Sequence, residues 1–349
     1  MIMDLIFFAF LALVIIPAFC NRNSSDDYLS VAVTTDVRGI AAIGIVLHHM
    51  SERIMKGWFF SKLGMVGYLL VTLFFFLSGY GLMVQYVKKQ ERYLDGFLRK
   101  RVLYLAVVYL LDILLYAVVG NALGKGYTLA QVAKAYFVGG VAANTWYMVV
   151  QILLYLVFYF VFRSRAIRPT GKKIVVMFAF QTAFWIACIM HGASSVWYLS
   201  NYGFSLGMLW GYKKDAIDRV LTEKYWPVLL ASFMAFALFY GVPVISDRVL
   251  PDSVAVWVRM FCRLISSPLS VVLLLVLLFR IQPKSRLWSA LGEVSLEIYL
   301  LHGLVYSLLR SSVIYVESGF LWTILTVGIS VAIAFPVHKL NTKIETMFK

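Results

Sequence analysis

The chain has 349 residues, of which 62% are hydrophobic and only 14% are charged. Its mean hydropathy of +0.83 indicates surroundings that are mostly lipid, which excludes an ordinary soluble domain. The formal net charge is +15, but the basic residues form short clusters between apolar runs rather than one continuous face. This distribution argues against binding to nucleic acid.

The apolar segments predict an all-α fold, a polytopic membrane helix bundle with ten core spans. These spans lie near residues 38–56, 64–87, 102–120, 144–162, 174–190, 196–212, 226–244, 256–280, 288–309 and 319–337. An earlier apolar segment, residues 2–20, is also long enough to cross a membrane. Its only early charge is the acidic Asp4, whereas a signal peptide normally begins with a basic region. We therefore expect an additional, retained helix; a cleaved leader is the alternative.

Basic residues accumulate in every second loop. Twenty-one Lys and Arg residues fall in five segments, against seven in the opposite loops. The five segments are residues 88–101, 163–173, 213–224, 280–286 and 339–349. By the positive-inside rule these loops are cytoplasmic, and so is the C-terminus.

The chain offers no soluble domain, because its longest polar connection, residues 121–143, is itself half apolar. We expect an N-terminal apolar helix with its linker at residues 1–28 and one membrane domain at residues 29–349. The cysteines, Cys20, Cys188 and Cys262, fall in or beside apolar spans. Their positions suggest packing, and they indicate neither a disulfide framework nor a metal site.

The first core span contains an arginine and two histidines among apolar residues. Arg38 and His49 are eleven residues apart, about three helical turns, so they project from one face and lie about 16 Å apart along the axis. His48 projects about 100° away, and we assign it a packing or polar contact. Ionisable residues inside a membrane span indicate a functional site.

Five segments in order resemble the acyltransferase 3 family. TDVRGIAAIGIVLHHM (residues 35–50) has the spacing of arginine, ten residues and histidine that marks the first helix of that family. The other four are GMVGYLLVTLFFFLSGYGL (64–82), FLRKRVLYL (97–105), NTWYM (144–148) and GEVSLEIYLLH (292–302). Two positions depart from the family pattern: Tyr104 replaces a second arginine, and Thr35 replaces an acidic residue, with Asp36 following it.

The resemblance implies an O-acyltransferase, without the esterase-like domain that some relatives append. It would move an acyl group, usually acetyl from cytoplasmic acetyl-coenzyme A, to a hydroxyl of an extracytoplasmic or lipid-linked carbohydrate, such as an exopolysaccharide. The expected location is a bacterial cytoplasmic membrane. The expected partners are membrane lipid, acyl-coenzyme A and the carbohydrate acceptor, with no metal and no nucleic acid.

The resemblance also implies roles for individual residues. His49 would be the general base, and Arg38 would assist it and contact the donor. Arg101 is the main candidate to bind the phosphates of coenzyme A, and Arg99 and Lys100 are further candidates. A basic loop end at this position also follows from topology alone. His302 would orient His49, contact the acyl carbonyl or hold helices together. The candidates for substrate binding are Ser295, Tyr299, Trp146, Arg259 and Arg263.

Two other functions fit the same sequence. One is a transporter or flippase in which His49, Asp112 and the membrane arginines relay protons or substrate. The other is a non-catalytic protein that binds acyl-coenzyme A. Arg259 and Arg263, one turn apart, would either pair with Asp112 inside the bundle or face an anionic lipid-linked acceptor.

Overall fold

The computed structural model describes residues 2–20 and 27–349. Met1 and most of the predicted linker, residues 21–26, lie outside the described residues. Helix accounts for 82% of the chain, and the described part has no strands, which confirms the predicted all-α class. Its thirteen α-helices are α1 (Ile2–Cys20), α2 (Val31–Ile54), α3 (Gly67–Lys89), α4 (Tyr104–Ala122), α5 (Leu129–Val138), α6 (Trp146–Arg163), α7 (Thr170–Met190), α8 (Tyr202–Glu223), α9 (Tyr225–Val249), α10 (Asp252–Leu278), α11 (Arg286–Glu293), α12 (Ser295–Leu308) and α13 (Gly319–Phe348).

Each predicted span overlaps at least one helix, but two of them lack the form of a simple membrane crossing. Within the described ranges, nine helical segments are long and apolar enough to span, and α8, α11 and α12 are not among them. The second half of α8 is highly charged, which lowers its hydropathy. The predicted span 288–309 is divided at Val294, leaving α12 with only 14 residues. Most of α12 is nevertheless buried, so it belongs to the centre of the bundle.

Helix α2 begins seven residues earlier than its predicted span. The hydroxyl of Ser30 caps it by accepting a hydrogen bond from the backbone N–H of Val33 at 3.3 Å, as serine commonly does at a helix N-terminus. Arg38 therefore lies two turns inside the helix rather than at its start. An arginine at this position can face the bundle interior instead of the membrane surface.

Helix α2 packs closely against α11. A Cβ atom added to Gly39 would overlap the carbonyl of Trp288, so only glycine permits this approach. The carboxylate of Asp36 accepts hydrogen bonds from the hydroxyl of Ser289 and from the backbone N–H of Ser285. These contacts fix the rotation of α2, and with it the directions of its arginine and histidines.

Helix α1 contacts the rest of the bundle at two points, one near its start and one in its second half. The Asp4 carboxylate accepts hydrogen bonds from the backbone N–H groups of Phe59 and Phe60 at 2.8 and 3.0 Å. Further along, the indole of Trp288 donates to the carbonyl of Leu13 at 2.8 Å. The carboxylate of Asp4, the one charged group near the start of this apolar helix, thus binds the backbone of the loop that follows α2.

Candidate functional site

Two cavities lie beside the central helices, and we name them after their basic residues. The histidine cavity, about 260 Å³, is lined by His48, His49 and Glu52 of α2 together with Trp146. The arginine cavity, about 680 Å³, is lined by Arg38 and Arg101, among others. Tyr299 of α12 lines both cavities, so they approach each other at this side chain. Arg38 and His49, which the sequence predicts to project from one face of α2, thus line different cavities.

His49 is held in one tautomer by an acidic neighbour that the sequence analysis missed. Its Nδ1 lies 3.2 Å from Oε2 of Glu52. Because a carboxylate can only accept a hydrogen bond, Nδ1 carries the hydrogen and the neutral ring keeps its lone pair on Nε2. The His49 side chain is 17% exposed, and it lines the cavity. The arrangement orients the ring and leaves one nitrogen lone pair free, as a general base would require.

The imidazole ring of His302 stacks against that of His49. The two rings stack with their centroids 5.2 Å apart and their planes at 18°. His302 is fully buried, and its Nδ1 donates to the carbonyl of Ile298 at 3.1 Å. Its Nε2 accepts from the side-chain amide of Asn144 at 3.1 Å. With both nitrogens occupied, His302 has no free lone pair, and its geometry is that of a residue that orients His49.

Asn144 is a second residue that the sequence analysis missed. Its amide holds His302, and its backbone carbonyl accepts a hydrogen bond from the Tyr299 hydroxyl at 2.8 Å. Its φ of 61° lies in the left-handed region, which asparagine tolerates better than most residues. Asn144 lies in the same NTWYM segment as Trp146, the residue of that segment that the sequence analysis predicts to bind substrate. Asn144 ties the start of α6 to the face of α12 that reaches both cavities.

Arg53 fixes the distance between α2 and α12. Its Nη2 donates to the Tyr306 hydroxyl at 2.7 Å, and its guanidinium lies 4.0 Å from the centroid of that ring. Its Nη1 donates to the backbone carbonyl of His49 at 2.9 Å. One side chain thus connects the two helices that carry the stacked histidines.

His48 makes the polar contact assigned to it and also lines the histidine cavity. Its Nδ1 donates to the carbonyl of Leu63 at 3.0 Å. Its Nε2 lies 3.6 Å from the same Glu52 oxygen that contacts His49. Gly67 passes so close to the His48 ring that any side chain there would overlap it. The close approach of Gly67 confines the imidazole of His48.

The arginine cavity brings together some of the predicted donor-binding residues and separates others. Arg38 donates from Nη2 to the hydroxyl of Thr35, one helical turn earlier, at 2.9 Å. Arg99 does not line the cavity; it donates to the carbonyl of Met347 at 2.8 Å. Lys100 lines an adjacent groove of about 310 Å³ that also contains Arg101. Of the three basic junction residues, Arg101 alone reaches the arginine cavity itself.

Of the five predicted substrate-binding residues, Trp146, Ser295 and Tyr299 line the cavities, whereas Arg259 and Arg263 do not. Trp146 lines the histidine cavity, and Ser295 lines the arginine cavity. Arg263 lies 5.9 Å from the ring of Tyr68, which lines the histidine cavity. Arg259 lines neither cavity and forms an ion pair with Asp247 at 3.1 Å.

The alternative pairing of Asp112 with these arginines is wrong. Both Asp112 carboxylate oxygens are buried without a hydrogen-bond partner among the described residues. Arg259 instead finds its acidic partner, Asp247, at the end of α9, the helix that precedes its own. An ion pair between two charged residues in different spans cannot be predicted from their positions in the sequence alone. The pairing depends on which helices are neighbours in the bundle.

A comparison with known families agrees with the resemblance of the motifs. The model of the acyltransferase 3 family, described as an acyltransferase domain, matches residues 36–339. No curated protein and no solved structure gives a significant match. The matched range includes every residue discussed above that lines the histidine cavity, as well as Arg38, Arg101 and Tyr299 of the arginine cavity. The chain is an integral membrane protein that belongs to the acyltransferase 3 family.

Proposed function

We propose that the protein transfers an acyl group, in the first instance acetyl, from acyl-coenzyme A to a hydroxyl of an extracytoplasmic or lipid-linked carbohydrate. The observation that supports this most directly is that the side chain of Tyr299 lines both cavities. One cavity contains an oriented base, and the other contains two guanidinium groups. A donor and an acceptor could enter from different sides and react where the cavities approach.

The histidine cavity suits activation of a sugar hydroxyl, which is a poor nucleophile at neutral pH. Nε2 of His49 would take the hydroxyl proton as the oxygen attacks the thioester carbonyl. The C–S bond then breaks, and coenzyme A leaves as a thiolate that recovers the proton. Glu52, in contact with Nδ1 at 3.2 Å, would stabilise the imidazolium that forms during the attack.

The arginine cavity suits the donor. Its volume of about 680 Å³ lies within the usual range for small-molecule sites, about 300–1,000 Å³. Arg38 and Arg101 would bind phosphate oxygens, for which a guanidinium offers a matching pair of donors. Arg101 belongs to the basic segment 88–101, so the positive-inside rule assigns this cavity to the cytoplasmic side. Cytoplasmic acyl-coenzyme A would then have direct access to it.

The proposal is tested by mass analysis of surface glycans and lipid-linked sugars. Cells would carry the wild-type gene, the His49→Ala variant or no copy. We expect one glycan to show the mass increment of an acetyl group only with the wild type, which would also identify the acceptor. If no glycan changes, and the purified protein does not bind acetyl-coenzyme A, the transferase is excluded and a transport function becomes the better explanation.

Glu52→Ala is expected to lower the turnover rate by roughly 10- to 150-fold, the loss of one hydrogen bond to a charged group at about 1.5–3 kcal/mol. The affinity for acetyl-coenzyme A should change little, because Glu52 lines the other cavity. The measurement is kcat and donor KM in proteoliposomes. Glu317→Ala, an exposed glutamate that lines neither cavity, is the control. A rate equal to that of this control would contradict the role of Glu52.

A further inference from the structure

We propose that His48, His49 and Glu52 form a site for a divalent transition-metal ion such as Zn²⁺, and that the ion inhibits the enzyme by occupying Nδ1 of His49. The site itself stands on the geometry of α2. The inhibition rests on the proposed function, because it requires His49 to act as the base.

The three side chains offer converging ligand atoms. One atom from each residue lies within 4.8 Å of the other two. Oε2 of Glu52 is 3.2 Å from Nδ1 of His49 and 3.6 Å from Nε2 of His48. Ligands of a tetrahedral zinc ion, bound at about 2.0–2.2 Å, lie roughly 3.3–3.6 Å from one another. Two of the three separations are thus close to the values that an ion requires.

The set of ligands has the composition of a zinc site. Two imidazole nitrogens and one carboxylate, with a fourth position left for water, are a common zinc coordination. The cavity of about 260 Å³ beside these residues gives room for that fourth ligand. No other group of three such residues occurs in the part of the chain that the structure describes.

His48 is already prepared as a ligand. Its Nδ1 donates to the carbonyl of Leu63 at 3.0 Å, so the lone pair of the neutral ring is on Nε2, the atom nearest Glu52. Metal-binding histidines usually donate their second ring N–H to a carbonyl or carboxylate in this way, which fixes both the tautomer and the ring orientation. His302 cannot substitute, since both of its nitrogens are engaged.

Metal binding and base catalysis would exclude each other at His49. In the structure Nδ1 carries the hydrogen and contacts Glu52, which leaves the lone pair on Nε2. An ion on Nδ1 moves that hydrogen to Nε2 without any net loss of a proton. The nitrogen that would accept the hydroxyl proton then becomes a donor, and Glu52 is bound to the ion. Acyl transfer should stop although the donor still binds.

The site is tested first without reference to activity. Purified full-length protein, stripped of metal, is titrated with Co²⁺, whose visible absorption reports coordination by nitrogen and oxygen, and bound Co²⁺ is then displaced with Zn²⁺. We expect one ion per chain in the wild type. Loss of a residue that only hydrogen-bonds to a metal ligand typically weakens metal binding by about 10- to 100-fold. His48→Gln and Glu52→Gln each remove a ligand itself, so each should weaken Co²⁺ binding by at least that factor. His191→Gln, which alters an exposed histidine outside both cavities, should bind like the wild type. Equal binding in all four proteins would overturn the site.

Inhibition is then measured on acetyl transfer in the same preparations. Zn²⁺ should inhibit the wild type at the concentration at which it displaces Co²⁺, and a chelator should restore the rate. In His48→Gln the inhibition midpoint should rise at least about tenfold, relative to the metal-free rate of that variant. Stoichiometric binding without inhibition would overturn the inhibitory role. If the wild type transfers no acyl group at all, the proposed function fails, and the Co²⁺ titration still decides the metal site.

Discussion

Replacing His49 with alanine is expected to reduce acyl transfer by about 10²- to 10⁴-fold, the usual contribution of a general base, while the donor KM stays nearly constant. The imidazole lines the histidine cavity and is 17% exposed. Its removal therefore creates no closed cavity in the core, and expression and detergent stability should be largely retained. Coenzyme A release in the presence of acceptor measures the rate.

The same variant allows a sharper test of the mechanism. Because the lost side chain borders an open cavity, free imidazole should enter and restore part of the rate to His49→Ala. His191→Ala removes an exposed histidine that lines neither cavity, and it should keep full activity. A turnover rate in His49→Ala equal to that of the wild type would contradict the assignment of His49 as the general base. A collapse of folding in that variant would instead point to a structural role.

Arg38→Ala is expected to weaken the binding of acetyl-coenzyme A by roughly 10- to 150-fold, the loss of a hydrogen-bonded contact to a charged group at about 1.5–3 kcal/mol. Arg38 lines the large arginine cavity, and one N–H group of its guanidinium donates a hydrogen bond to Thr35. The remaining donors of the guanidinium are available to phosphate oxygens. Arg38→Lys should recover only part of the affinity, because an ammonium group keeps the charge without the paired donors.

Direct binding of labelled acetyl-coenzyme A to the purified variants is the appropriate measurement. Arg165→Ala is a matched control, since it removes an exposed arginine from another basic loop and lines neither cavity. If Arg38→Ala and Arg165→Ala bind the donor equally well, Arg38 has no part in donor recognition. A change in membrane orientation as the sole effect would assign Arg38 to topology.

Much of the architecture could be predicted from the sequence, because the signals involved are local. A membrane span needs about twenty apolar residues, so composition and hydropathy alone predicted the helix bundle. The helical repeat of 3.6 residues likewise placed Arg38 and His49 on one face, and they line two cavities that share Tyr299 as a lining residue. Helix ends were less predictable: α2 begins at Val31, and the late span is divided at Val294.

The partners of the polar atoms were decided by tertiary structure. Glu52 lies only one turn from His49, yet its importance depends on both side chains pointing into one cavity. Asn144 matters because α6 begins beside α12, where its amide reaches His302. Arg259 found Asp247 rather than Asp112 for the same reason. Hydropathy and helical periodicity are properties of a single segment, and they determined the class of the protein and the faces of its helices. Hydrogen bonds between helices depend on which faces become neighbours, and only the packed bundle determined those.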